Sequence, residues 1–289
     1  MRLHPRRKTS RRLLGILSTA GLALAGCTVP MGAGPVQKAA SSSAVYSTVA
    51  PAKPQVHSPD FSPVPPGAAL DISTTQPVPG EAFDFNLCTV AWSFVLDDAR
   101  TIAVTASHCG EPGDTVWAGA ADGEFVYPAE PVGTIIYSDL SAPETHQLDF
   151  ALVEITREAE FYIPRDMPTT VVAADEHMLP DSVCKLGRIT GETCGPLTHR
   201  EGQGKLQFND RTVETVAARA QVCSTHGDSG APVYGAPGSP YEDVIVGVLS
   251  GTTDAAASSE GCADGSEAQM SFTPASEIEK LLPEILERV

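Results

Sequence analysis

Short apolar runs separated by glycine, proline and aspartate are the feature that most restricts the fold of this chain. Four of these runs are Leu87–Leu96, Thr101–Ala106, Phe150–Ile155 and Val244–Leu249. Their length and spacing are typical of strands in an all-β domain, because helices of a globular protein show longer patterns with a period near 3.6. The folded part of the chain is therefore predicted to be rich in strands.

One helical pattern follows these runs at the end of the chain. Its apolar positions have the i, i+3, i+4, i+7 spacing of an amphipathic helix. They are Ile278, Leu281, Leu282, Ile285 and Leu286. Thr273 is the predicted N-cap and Pro274 the predicted first helical residue, so the helix is expected at about 274–288.

The first 26 residues resemble an export signal. Met1–Arg12 has six Lys or Arg and no acid, and Leu13–Ala25 is apolar but too short to span a bilayer. Leu24-Ala25-Gly26-Cys27 resembles a bacterial lipobox, which predicts cleavage before Cys27 and acylation of that residue. The alternative is an ordinary secretory signal with an incidental cysteine. Ser10-Arg11-Arg12 resembles a twin-arginine signal, so both the Tat and the Sec route are considered.

Residues 28–80 are rich in proline, serine and alanine, with few charges and little apolar periodicity. Such a segment cannot bury enough apolar surface to offset its ordering entropy. Residues 27–80 are therefore predicted to be a lipidated cysteine followed by a disordered stalk, with a folded pro-segment as the alternative. The remaining residues, 81–289, are long enough for one large domain or two packed lobes.

The net charge limits the possible partners. It is −17 for the whole chain, and removal of the six positive charges of the signal makes it −23. A surface this acidic repels nucleic acid and anionic lipid. No nucleic-acid partner is therefore expected, and membrane contact is predicted only through the lipid anchor of a monomeric, surface-tethered protein.

The cysteines indicate disulfides rather than a metal site. Apart from Cys27 there are six: Cys88, Cys109, Cys184, Cys194, Cys223 and Cys262. An even number in an exported chain favours disulfides, although six cysteines allow fifteen pairings. The sequence has no CxxC, HExxH or paired-histidine spacing, so a metal site is not expected.

The segment Cys223–Tyr234, CSTHGDSGAPVY, contains a candidate nucleophile, Ser229. A serine hydroxyl reacts only when a base removes its proton and a third group orients that base. His108 is the favoured base because it directly follows an apolar strand. The other histidines lie in the signal, the stalk or polar loops, or too close to Ser229 along the chain: His4, His57, His146, His177, His199 and His226.

Three blocks, TASHCG, DFALVEI and HGDSGAPV, occur in this order along the chain. They resemble the catalytic blocks of chymotrypsin-like (trypsin-fold) serine proteases, and most closely those of the bacterial α-lytic protease and streptogrisin branch. The resemblance covers the chain from about Phe83. It implies two packed six-stranded antiparallel β-barrels, at about 81–165 and 166–272, followed by the helix. Two motifs depart from the usual ones: GDSGAP replaces GDSGG, where Ala231 is expected to alter the turn slightly, and TASHC replaces TAAHC.

The resemblance also implies residue roles. His108 is expected to act as general base and acid, Asp149 to orient it, and Ser229 to be the nucleophile, with the N–H groups of Gly227 and Ser229 as oxyanion hole. Asp149 begins an apolar strand, where a buried carboxylate needs a partner. The implied substrate-binding residues are Val222, Ser224, Leu249, Ser250, Gly251 and Thr252. The implied disulfides are Cys88–Cys109, Cys184–Cys194 and Cys223–Cys262.

Asp228 needs a cation, and the related branch has an arginine at the position of Lys185. A Lys185–Asp228 ion pair is therefore predicted, looser than an arginine fork because lysine is a point charge.

Together these features predict a secreted, surface-tethered serine endopeptidase that acts on polypeptides through an acyl-enzyme intermediate and needs no cofactor. The alternatives are an inactive protease-fold lipoprotein that serves as a binding or adaptor module, and an esterase of the same fold.

Overall fold

The computed structural model describes residues 63–125, 127, 129–167, 171–208, 211–252, 262 and 268–289. The strands of the first half are β1 Ala69–Ser73, β2 Asn86–Thr89, β3 Trp92–Val95, β4 Thr101–Thr105, β5 Thr115–Ala118, β6 Gly133–Ser138 and β7 Ala151–Ile155. Those of the second half are β8 Ser182–Gly187, β9 Gly191–His199, β10 Gln203–Phe208, β11 Arg211–Val216, β12 Ala218–Ala220, β13 Pro232–Gly235, β14 Ile245–Thr252 and β15 Met270–Pro274. Short 3₁₀ helices lie at Ser107–Cys109, Asp139–Ser141 and Glu176–Met178, and the α-helix α1 spans Ala275–Leu286.

Strands β1 to β7 form one antiparallel sheet with the order β2-β1-β5-β6-β7-β4-β3. Its two outer strands, β2 and β3, are consecutive halves of one stretch of chain. Val90 N, between them, donates to the Ala68 carbonyl at 2.8 Å, and Ala91 N donates to the Val104 carbonyl at 2.8 Å. The sheet therefore curls until both ends meet in this stretch, and its seven strands occupy six positions around the first barrel.

The second barrel is a closed ring of six antiparallel strands, β12-β15-β14-β13-β8-β9. The hairpin β10-β11 forms a separate two-stranded sheet. Side chains such as Val183, Val233, Val246, Leu249 and Phe272 fill the core of this barrel. The prediction of an all-β fold with two barrels and one C-terminal helix is confirmed.

The folded part begins earlier in the chain than predicted. Strand β1 lies within the segment predicted as stalk, yet all five of its residues are buried. It pairs with both β2 and β5. Leu70–Ser73 alternates between apolar and polar residues, but this short run follows a proline-rich stretch and was included in the segment that its composition predicted to be disordered. The predicted boundary at residue 80 is therefore corrected, while the signal, Cys27 and the stalk up to residue 62 lie outside the described residues.

Helix α1 buries Ala275, Ile278, Leu282 and Ile285. The predicted cap is wrong: Pro274 is the N-cap, and no side chain caps the helix. Thr273 instead belongs to β15, where it pairs with Val248, and its hydroxyl contacts Asp149 of the first barrel. Among the helices within the described part of the chain, none is long and apolar enough to cross a membrane.

Candidate active site

Ser229 lies in a turn between β12 and β13 that depends on two glycines. Gly227 has φ +96° and Gly230 has φ +84°, which L-residues with a side chain rarely adopt. A Cβ atom on Gly230 would lie 2.1 Å from Thr105 Oγ1 and 3.0 Å from Ala106 N. The absence of a side chain at Gly230 thus lets the serine turn pack against the end of β4, which leads into His108.

His108 and Asp149 form a hydrogen-bonded pair at the first barrel. His108 lies in the 3₁₀ turn after β4, and Asp149 lies just before β7, the strand that pairs with β4. The Nδ1 atom of His108 is 2.8 Å from Asp149 Oδ2, and the backbone N–H of His108 donates to Asp149 Oδ1 at 3.0 Å. The His108 side chain is 20% exposed and that of Asp149 is 0% exposed. The carboxylate therefore fixes the orientation of the imidazole while one side of the ring remains open.

The pKa of His108 results from two opposing effects. Burial lowers this pKa, and the negative charge of Asp149 and its hydrogen bond to the ring raise it. The net direction is upward from the ordinary value of 6.5. The arrangement therefore stabilises an imidazolium, as a group that accepts a proton during a reaction requires.

Thr273 supports Asp149, and sequence reasoning did not identify it. Its hydroxyl accepts from the backbone N–H of Asp149 at 3.1 Å and donates to the carbonyl of the same residue at 3.4 Å. Thr273 is fully buried. Because it precedes a helix, its sequence context favoured a capping role, and no sequence signal pointed to a contact with Asp149.

The backbone N–H groups around Ser229 differ in whether they are paired. Asp228 N donates to the Thr225 carbonyl at 3.1 Å, and Gly230 N donates to the Leu249 carbonyl at 2.8 Å. The N–H groups of Gly227 and Ser229 have no acceptor within the described residues. These two are the groups predicted to form the oxyanion hole, so the turn leaves its predicted anion-binding donors unpaired.

Asp228 lies in a buried network that contains the predicted lysine. Lys185 Nζ is 3.0 Å from Asp228 Oδ2, and both side chains are 0% exposed. The carboxylate also accepts from Ile189 N at 2.9 Å, Thr190 N at 3.1 Å and Thr225 N at 3.1 Å. Burial lowers the pKa of Lys185, and the ion pair with Asp228 opposes that shift.

Thr190 was missed by the sequence analysis, although its hydroxyl contacts both members of the Lys185–Asp228 pair. Its hydroxyl donates to Asp228 Oδ2 and accepts from Lys185 Nζ. The lysine reaches a third acceptor, the Gly191 carbonyl, at 2.9 Å. All three ammonium protons therefore have partners.

The three disulfides are Cys88–Cys109, Cys184–Cys194 and Cys223–Cys262. Cys109 directly follows His108, and Cys88 is in β2, so the first disulfide holds the histidine loop to the sheet.

Within the described residues, the one cluster with metal-ligand spacing is Cys184, Glu192 and Cys194. Its two sulfur atoms are bonded to each other.

The predicted substrate-binding residues lie on two segments next to Ser229. Val222 and Ser224 precede the serine turn, and the others belong to β14. Val222, Ser224, Leu249 and Ser250 are buried, whereas Gly251 and Thr252 are half-buried. The hydroxyls of Ser224 and Ser250 lack a protein partner among the described atoms.

Ala231, the departure from the usual motif, is fully buried and its φ is not positive, so its methyl group does not force an altered turn.

One comparison with known proteins identifies the family of this chain, and others list solved structures to which it is similar. The trypsin family model matches residues 94–278, which is more than half of the chain. Thermobifida fusca protease A has 21% identity and a TM-score of 0.49, over 76% of this chain and 95% of that chain. Cellulomonas bogoriensis chymotrypsin has 21% identity and a TM-score of 0.48, over 76% and 95%. Nocardiopsis protease has 18% identity and a TM-score of 0.48, over 75% and 94%. A search of curated proteins finds no match. On the family match, this chain belongs to the trypsin family and has its serine protease fold.

Proposed function

We propose that this protein is a serine endopeptidase with His108, Asp149 and Ser229 as its catalytic residues. The observation that carries the proposal is the buried Asp149 carboxylate, which accepts both the backbone N–H and the ring Nδ1–H of His108. A buried carboxylate in this geometry holds the second ring nitrogen, Nε2, free to accept a proton. The nucleophile turn packs directly against the strand that presents this histidine.

The proposed reaction uses these three residues as follows. Ser229 Oγ attacks the carbonyl carbon of a peptide bond while His108 Nε2 takes the hydroxyl proton. The carbonyl oxygen becomes an oxyanion that receives hydrogen bonds from Gly227 N and Ser229 N. His108 then transfers its proton to the leaving amine, which breaks the C–N bond and leaves an acyl-Ser229 ester. Water, deprotonated by His108, hydrolyses this ester and regenerates the serine.

The oxyanion turn is held in this conformation by contacts within the folded domain. The Asp228 carboxylate has its hydrogen-bond and charge partners in Lys185, Thr190 and the backbone around them. It therefore does not need to pair with an N-terminal ammonium group newly released by proteolysis. We therefore expect the folded enzyme to be active without proteolytic activation.

The substrate is proposed to bind as an added strand along Ser250–Thr252, with its side chain at the cleavage position between this strand and Val222–Ser224. None of the proposed pocket residues is acidic. Small or medium uncharged residues are therefore the proposed preference at this position.

The protein is proposed to act outside the cytoplasm, at the cell surface. Three disulfides fit an oxidising compartment. The lipobox-like sequence before Cys27 supports a lipid anchor, and the proline-rich segment up to residue 62 supports a stalk. Mass spectrometry of the N-terminal peptide tests this: a diacylated Cys27, absent in Cys27→Ser, is expected, and an unmodified Cys27 would contradict the anchor.

A fluorophosphonate probe tests the catalytic assignment. It should label the protein at Ser229, and Ser229→Ala should abolish labelling and peptide cleavage. Asp149→Asn should lower kcat by about 10⁴-fold, because the imidazole loses its oriented tautomer. Ser239→Ala, a change in a loop outside the site, is the matched control. A wild-type protein that is not labelled and cleaves no peptide would favour the adaptor function, and cleavage of esters alone would favour an esterase.

A further inference from the structure

Arg188 belongs to the second barrel, but its side chain is buried in the first. It directly follows β8, and its guanidinium donates to the Leu70 carbonyl at 2.8 Å, to Asp71 Oδ1 at 2.6 Å and to the Ala120 carbonyl. Leu70 and Asp71 lie in β1. The side chains of Arg188 and Asp71 are 0% and 1% exposed, so this ion pair is shielded from water.

The first barrel leaves space for this guanidinium. A Cβ atom on Gly119 would lie 2.7 Å from Arg188 Nη1 and 2.8 Å from Asp71 Oδ1, so glycine is required there. A buried ion pair adds little net stability, because the desolvation of both charges offsets their attraction. The consequence of this pair is therefore expected in the arrangement that it imposes on neighbouring backbone.

The backbone of Arg188 is linked through Thr89 to the turn that carries Ser229. Arg188 N donates to Thr89 Oγ1 at 3.3 Å, and the Thr89 hydroxyl donates to the Gly227 carbonyl at 3.0 Å. Thr89 N also donates to the Ser229 carbonyl at 2.8 Å. Thr89 thus links the backbone of Arg188 to the carbonyl groups of Gly227 and Ser229, the residues on either side of Asp228.

The two residues after Arg188 hold the Asp228 carboxylate. Ile189 N and Thr190 N both donate to Asp228 Oδ1, at 2.9 and 3.1 Å. The turn 188–190 is therefore anchored at one end by the Arg188 guanidinium, which binds to β1, and at the other end by the Asp228 carboxylate next to Ser229.

We propose that Arg188 and Asp71 are a positioning pair for the oxyanion hole. They hold the turn 188–190 where its N–H groups fix Asp228, and thereby they orient the N–H groups of Gly227 and Ser229. This role presupposes the proposed endopeptidase activity. It also makes the docking of β1 a requirement for an effective active site.

Loss of the pair should affect kcat more than KM. Hydrogen bonds to the oxyanion act on the transition state, so misaligned donors lower kcat and leave ground-state binding nearly unchanged. Because the donors would be displaced rather than removed, we expect a decrease in kcat of about 10-fold or more, less than for complete loss of a donor.

The decisive variant is the double substitution Asp71→Leu with Arg188→Met. It removes both charges, so no unpaired charge remains buried and the domain should stay folded. Arg188→Lys keeps the positive charge but loses the planar guanidinium with its several donors. Its kcat should therefore lie between those of the double variant and the wild type. Arg200→Met is the matched control, since Arg200 also contacts a carbonyl and an aspartate but is half-exposed and distant from the turn.

The readout is the ratio of inhibition constants for a peptide aldehyde and the corresponding peptide alcohol. The aldehyde forms a tetrahedral adduct with Ser229 that uses the oxyanion hole, whereas the alcohol only occupies the substrate site. The double variant should lose aldehyde affinity by about the same factor as kcat, with alcohol affinity and melting temperature close to wild type.

A wild-type protein without activity and without Ser229 labelling would refute the proposed function itself. An active wild type together with a folded double variant of unchanged kcat and unchanged inhibitor ratio would refute only the positioning role. A variant with equal losses of aldehyde and alcohol affinity would also refute it, because that result indicates general damage to the substrate site.

Discussion

Lys185→Met is the most direct test of the network around the nucleophile turn. Methionine has a similar length to lysine but removes the charge and all three donors, whose acceptors are Asp228, Thr190 and Gly191. Asp228 keeps its backbone donors, yet its negative charge stays buried without a counter-charge. Breaking a buried pair from one side costs about 3–5 kcal/mol of the free energy of unfolding.

This loss is smaller than the total stability of most domains, about 5–15 kcal/mol, so the variant should still fold. At roughly 2–4 °C per kcal/mol for a domain of this size, the melting temperature should fall by roughly 6–20 °C. Asp228 lies between the two candidate oxyanion donors, so its displacement moves both. Loss of one such donor lowers kcat by about 10²–10³-fold, and we expect a decrease in kcat of at least about 100-fold.

The assay is kcat per folded molecule, measured well below the melting temperature of the variant. Lys280→Met is the control, because Lys280 is 51% exposed and its pair with Glu277 should contribute only about 0–1 kcal/mol. Full activity of Lys185→Met, at unchanged kcat, would show that the ion pair does not maintain the oxyanion geometry.

Four further outcomes are expected. Activity should rise with pH through one ionisation above 6.5. The reason is that the reaction needs the neutral ring of His108, and Asp149 holds the pKa of this ring above its ordinary value. Unchanged activity well below that pH would exclude His108 as the base. In the same pH range, the stability from the charged His108–Asp149 pair, present at lower pH, should be lost as pH rises through the folded-state pKa, which melting temperatures across pH would reveal. Thr273→Val should lower the free energy of unfolding by about 1–3 kcal/mol, because two buried groups of Asp149 lose their partner; unchanged thermal unfolding would contradict this. Peptide libraries should show cleavage after small or medium uncharged residues, and clear cleavage after arginine, lysine or glutamate would refute the proposed pocket.

The fold class and the candidate catalytic residues could be predicted from local features of the sequence. Strand-length apolar runs, the helical pattern near the C-terminus and three short blocks in a fixed order are all local features. The resemblance of these blocks to those of chymotrypsin-like serine proteases implied His108, Asp149 and Ser229 as candidates without knowledge of their contacts. The Lys185–Asp228 pair was also predicted, because the related branch has an arginine at the position of Lys185, directly after Cys184.

The residues that support these groups could be recognised only from contacts in the folded protein. Asp71 and Arg188 are 117 positions apart, and Thr273 and Asp149 are 124 positions apart. Such contacts exist because the two barrels pack together, and no periodicity or spacing along the chain encodes them. Strand β1 was missed because its short run follows a proline-rich stretch, and its pairing with β2 and β5 and the burial of its five residues arise only when the barrel closes.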